Sequence, residues 1–163
     1  MVTKVSALLN ELRERTNGKT VILGVGNTLK QDDGVGPRLA DRLHDRISMP
    51  VINCGEAPEN YTSTIRRKEP NTIVIIDAVD CKAKPGTVKL ISPANVKNET
   101  FSTHGVSLRA FADFIKAETS AETLILAVQP ASVSFGGELS EHVEKAICAL
   151  EKGFLEVFGK DAS

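Results

Sequence analysis

Three residues could do chemistry together if the fold brought them to one place. Asp33 stands in the run GVGNTLKQDDGVG (24–36), Asp77 closes the apolar run TIVIIDA (72–78), and His104 lies in STHG (102–105). Two carboxylates and an imidazole suit a divalent metal such as zinc or nickel, with the remaining positions open to solvent or substrate. Without a metal, the same trio makes an acid–base assembly, because carboxylates hold a nearby imidazole protonated. Each residue alone has a plainer reading. Asp33 can cap a helix and favour its positive end. Asp77 can be satisfied by loop amides, and one histidine is more often a surface or core residue than a ligand. His44 and His142 read in that ordinary way, on a polar helix face and in the first turn of the last helix.

The elements that must position the trio are legible as alternating periods. Five apolar, β-branched runs appear: TVILGV (20–25), PVINC (50–54), TIVIIDA (72–78), GTVKLIS (86–92) and TLILAV (123–128). The first, third and fifth are nearly continuous, as expected of parallel strands covered on both faces. GTVKLIS alternates and follows a Pro85-Gly86 turn too closely for a helical crossover, so it is expected as an antiparallel edge strand. Helical stripes lie between the strands: Val35, Leu39 and Leu43, with Arg42 and Arg46 turned outward; Leu108, Phe111, Ala112 and Ile115; and Val143, Ile147, Leu150, Phe154 and Phe158, with Ser140 as N-cap. Pro58 opens a further helix that stops before Pro70. Residues 3–16 form an amphipathic helix ahead of the first strand, through Val5, Leu8, Leu9 and Leu12. The expected fold is one α/β domain over 1–163, with a helical extension at 1–18 and a core at 20–158. It is an α/β/α sandwich on a five-stranded, mainly parallel twisted sheet. In such sheets, ligands sit at the carboxyl ends of the strands near the reversal of strand order, where all three residues are expected.

Other chemistries fit less well. Gly24 and Gly26 suggest a dinucleotide loop, but Leu29 replaces the third glycine of GxGxxG, and an acidic pair would repel a pyrophosphate. No GxSxG, HExxH or P-loop occurs. Cys54 ends the second strand and is expected at the same crevice, where it could touch metal or substrate; a free cysteine more often fills space. A net charge of −1 argues against general nucleic-acid binding, and Arg66, Arg67 and Lys68, like Lys82 and Lys84, read as solvated surface. No apolar run approaches the ~20 residues of a membrane span, and the N-terminus lacks the apolar core of a signal peptide. Three cysteines without a CxxC pair fit a reducing cytoplasm.

At these residues the sequence resembles a known family, the hydrogenase maturation endopeptidases, which process the large subunit of nickel–iron hydrogenases. GVGNTLKQDDGVG is similar to the family's glycine-rich opening, and INCGEAPEN, IIDAVD with KPGTV, and STH match its later blocks in order. INCGEAPEN is most like the branch serving formate hydrogenlyase-type and related membrane-bound hydrogenases. The resemblance implies removal of a C-terminal extension from the large-subunit precursor after nickel insertion, with nickel supplied by that substrate. It maps the metal-contacting trio onto Asp33, Asp77 and His104, with Asp33 and Asp77 as catalytic candidates. Gly26, Asn27, Gly55 and Cys54 would shape the groove for the tail. Cys54 departs from the family, standing where a glycine is common, and the N-terminal helix precedes the usual start. The expected partner is a large-subunit precursor, engaged by a monomer without nucleic acid or membrane insertion. Two rivals stay open: a nucleotide- or dinucleotide-binding protein, and a non-catalytic, nickel-dependent docking or maturation factor.

Overall fold

A computed structural model describes residues 2–16, 18–96 and 107–160. The apolar runs form the strands β1 (Thr20–Val25), β2 (Val51–Gly55), β3 (Thr72–Ala78), β4 (Val88–Ile91) and β5 (Glu122–Val128). They make one sheet in the order β2-β1-β3-β5-β4, parallel throughout except for β4, which runs antiparallel to β5 at the edge. The continuous runs of β1 and β3 are buried at every position because helices cover both faces. β4 alternates and is half-exposed, as an edge strand should be.

The helices are α1 (Val2–Arg15), α2 (Val35–Leu43), α3 (Thr62–Arg67), α4 (Leu108–Thr119) and α5 (Glu141–Phe158). Alternation along the strands sorts the core into two layers. Ile22, Val74, Ile76, Leu124 and Leu126 meet Leu9 and Leu12 of α1, Leu39 and Leu43 of α2, and Ile147, Leu150 and Phe154 of α5. Val21, Leu23, Ile73, Ile75 and Ile125 meet Ile65 of α3 and Phe111 and Ile115 of α4. The N-terminal helix is part of this core: Leu9 and Leu12 are fully buried, and a side chain at Gly153 of α5 would collide with Leu9.

Three local expectations are refined. α2 ends at Leu43, so Arg46 lies beyond it, and Arg42 and Arg46 do not simply face solvent: they pair with Glu144 and Glu151 of α5 at 2.9 and 3.1 Å. The helix opened by Pro58 is a short 3-10 turn (Pro58–Tyr61) that passes into α3. Ser140 does occupy the N-cap position of α5, but its hydroxyl caps nothing there, being drawn to Asp32 instead.

Two glycines set how closely α2 approaches the sheet. A Cβ on Gly36 would strike the carbonyl oxygens of Val25 and Ile76, and one on Gly24 would strike that of Gly36. The first turn of α2 therefore lies directly on β1 and β3. These are the two strands between which the chain order reverses, since β2 lies on one side of β1 and β3 on the other.

Candidate active site at the reversal of strand order

The loop leaving β1 folds back on itself before α2 begins. Gly26 takes φ +147°, a conformation side chains rarely adopt, and its N–H donates to the Gly55 carbonyl at 2.9 Å, joining the ends of β1 and β2. The Asn27 side chain accepts from Leu29 N–H at 2.8 Å, a local turn, and donates to Glu56 Oε1 at 2.9 Å. Gln31 sits at φ 45°, held by donation of its N–H to the Gly136 carbonyl at 2.8 Å. A left-handed glutamine costs conformational energy and persists only where its surroundings fix it. It opens a 3-10 turn (Gln31–Gly34) that carries both acidic residues, each fully buried.

Asp33 accepts from the Asn27 N–H at Oδ2, 2.8 Å away. It is not the cap of α2: Gly34 takes that position, and no side chain caps the helix. Asp77 lies at the carboxyl end of β3, 2 % exposed, with Oδ1 accepting from the Ala78 N–H at 2.8 Å. Burial holds the Asp77 carboxyl well above the usual carboxylate range. The nearby charge of Asp33 adds to that rise, and the Ala78 N–H opposes it. The structure thus brings Asp33 and Asp77 within electrostatic reach of one another at the β1–β3 crevice. Among the described residues no group of three His, Cys, Asp or Glu could hold a metal ion. His104, the third member expected, lies outside the described residues.

The remaining candidates separate by surroundings. The space a Cβ would need at Gly26 is filled by the Asp33 carbonyl, and that at Gly24 by α2. Both glycines therefore make room for the protein's own backbone, not for a pyrophosphate. Gly55 is different: at φ +54°, a Cβ there would meet nothing within 4 Å. It is an open rim position beside Gly26. Cys54 was expected at the crevice, but the structure puts it 3 % exposed in the apolar layer with Val25 and Ile65. Burial, helped by Glu59, pushes its thiol up to about 12. A neutral thiol in that layer fills space.

Sequence reasoning passed over the segment that follows β5. Gln129 accepts from the Cys81 N–H at 2.6 Å and donates to Asp80 Oδ1 at 3.3 Å, tying the loop after β3 to the end of β5. Asp32 gathers the next stretch. Oδ2 accepts from the Ala131 and Ser132 N–H groups at 2.8 and 3.3 Å and from the Ser140 hydroxyl at 2.8 Å; Oδ1 accepts from the Ser140 N–H at 2.7 Å. The signal for Gln129 was its place directly after a parallel strand. Nothing near Asp32 in sequence announced its partners.

Comparison with known proteins agrees with this geometry. A family model described as hydrogenase maturation protease matches residues 34–157. The hydrogenase 3 maturation protease of Escherichia coli K12 is 34% identical over 131 residues, covering 78% of this chain and 83% of that protein. A putative hydrogenase maturation protease of Methanocaldococcus jannaschii is 31% identical over 149 residues, covering 85% and 88%. The crystal structure of the NiFe hydrogenase maturation protease HycI from Thermococcus kodakarensis superposes with a TM-score of 0.76 at 31% identity, covering 85% of this chain and 91% of that one. No helix of the described residues is long and apolar enough to cross a membrane. The chain belongs to the hydrogenase maturation protease family and is a peptidase of hydrogenase maturation.

Proposed function

We propose that this peptidase removes the C-terminal extension of a NiFe-hydrogenase large-subunit precursor once nickel has been inserted, and that it reads the nickel carried by that substrate. The observation that carries the reading is that Asp33 and Asp77 are both buried carboxyls where the strand order reverses, near enough for the charge of Asp33 to raise the Asp77 carboxyl. Two neighbouring acids in a buried site are offset by a cation, and hard carboxylate oxygens together with the imidazole of His104 make a donor set that accepts nickel. A substrate that brings its own metal needs only such an incomplete set, with the other positions filled by the precursor.

Hydrolysis then requires an activated water. The substrate's nickel can polarise the water, or Asp33 and Asp77 can exchange its proton as base and acid; both routes place the attacked bond beside the same two side chains. Gly26 and Asn27 serve this chemistry indirectly, by fixing Asp33. Gly55, with open space above it, suits the passage of an extended tail.

The test is incubation of the purified protein with nickel-loaded and nickel-free precursor. A shortened large subunit with the loaded precursor alone, and none with Asp33→Asn or His104→Ala, is the expected result. Normal processing by both variants would overturn the site assignment, and a stable uncleaved complex with the wild-type protein would favour the docking-factor reading.

A further inference from the structure

Among the described residues, three large apolar side chains stand well out of the surface: Leu29 at 66 %, Phe114 at 46 % and Phe135 at 79 % exposed. Leu29 and Phe135 come from segments about a hundred residues apart and meet on one lip. Lys30 and Gly136 form a parallel bridge, with the Gln31 N–H donating to the Gly136 carbonyl at 2.8 Å and the Gly136 N–H to the Leu29 carbonyl at 2.9 Å. That pairing joins the segments carrying Leu29 and Phe135, and the Lys30 ammonium lies 5.2 Å from the centre of the Phe135 ring.

The lip is anchored on every side. Asp32 holds residues 131, 132 and 140 through four hydrogen bonds, its own N–H donates to the Ser132 carbonyl at 3.1 Å, and Arg38 of α2 donates to the Gly137 carbonyl. Such fastening holds two apolar side chains in water, where each forgoes the favourable burial it would find in a core. A fixed apolar surface also binds without an ordering cost.

We infer that the Leu29–Phe135 lip is a docking surface for a non-polar stretch of the protein substrate lying beside the bond that is cut. The inference rests on the peptidase reading above and on continuity with its site. Leu29 is two residues from Asn27, whose N–H holds Asp33, so the lip belongs to the same loop as the proposed site. A second copy of the chain is the weaker occupant, because a symmetric pairing of two such lips would bring two Lys30 ammonium groups together.

The experiment compares wild type, Leu29→Ser/Phe135→Ser, Phe135→Leu and Asp33→Asn for association with the nickel-loaded precursor and for its cleavage, alongside thermal melting and sedimentation. The doubly polar variant should melt like wild type and lose about tenfold or more in both association and kcat/KM, while Phe135→Leu keeps most of each; truncation of one apolar anchor in an interface has an effect of that size. Association of the doubly polar variant at wild-type strength would overturn the lip. So would a wild-type dimer that the variant dissolves with precursor binding unchanged, which would assign the lip to self-association. Asp33→Asn should not cut; if it cuts normally, the catalytic assignment fails while the lip stands. Wild-type protein that neither binds nor cuts would overturn both.

Discussion

Asp32 and Asp33 are consecutive, equally buried and carried on one 3-10 turn, yet their described surroundings differ. Asp32 points toward the segment after β5 and is surrounded by donors alone: three N–H groups and one hydroxyl. Its charge is dispersed into hydrogen bonds that hold the loop and start α5, which is a structural use of a carboxylate. Asp33 accepts from the Asn27 N–H, and its charge reaches another buried carboxyl, Asp77. That neighbour raises the free energy of the site where Asp32's neighbours lower it. Burial and residue type are the same for both; on the proposed function, what each side chain faces separates scaffold from chemistry.

The largest effect that would sharpen this contrast is loss of cleavage in Asp33→Asn. The carboxamide oxygen can still accept from the Asn27 N–H, so the melting temperature should stay within a few degrees of wild type. Cleavage should fall by roughly 10²–10⁴-fold, the usual worth of a positioned acid or base. Asp32→Asn should do the reverse. It places an amide donor among four donors, which costs about 3 kcal/mol and lowers the melting temperature by roughly 6–12 °C in a domain of this size. Folded Asp32→Asn, assayed cold, should still cut; a cold preparation as inactive as Asp33→Asn would break the contrast.

The two rim glycines give a second, smaller comparison. Gly26→Ala meets both a hostile φ and the Asp33 carbonyl, so it should cost about 2–3 kcal/mol and reduce cleavage by moving Asp33. Gly55→Ala meets only its φ of +54° and should cost about 1 kcal/mol. Equal melting shifts for the two would refute the packing described around Gly26. The smallest effect concerns Cys54. With its thiol pushed up to about 12, it stays protonated and shielded across the neutral range. A thiol reagent at mildly alkaline pH should label exposed Cys148 in the native protein and reach Cys54 only on unfolding. Native labelling of Cys54 would return it to the crevice.

Much of this was legible in the sequence, and the reasons are local. TVILGV, TIVIIDA and TLILAV announce doubly covered parallel strands because burial on both faces removes polar residues from the run itself. Pro85-Gly86 announces the antiparallel edge because there is too little chain for a crossover. Asp33 and Asp77 could be singled out because one stands in the loop after a parallel strand and the other at the end of one. What was hidden depends on partners distant in sequence. The four donors of Asp32 come from residues 131–140, Asn27 meets Glu56 across two loops, and Ser140 stands at a helix start yet gives its hydroxyl to Asp32. The Leu29–Phe135 lip was invisible for the same reason: its halves meet only through the Lys30–Gly136 bridge. Cys54 could be placed at the crevice or in the apolar layer because the end of a strand offers two faces; its side chain takes the apolar one, the space-filling role the sequence favoured.

The most direct test of the central claim is cleavage of the nickel-loaded large-subunit precursor by Asp33→Asn and by Asp32→Asn, side by side in the cold with melting curves for each. The account predicts a stable Asp33→Asn protein that leaves the precursor at full length, and a less stable Asp32→Asn protein that shortens it. A shortened subunit from Asp33→Asn at the wild-type rate would contradict it.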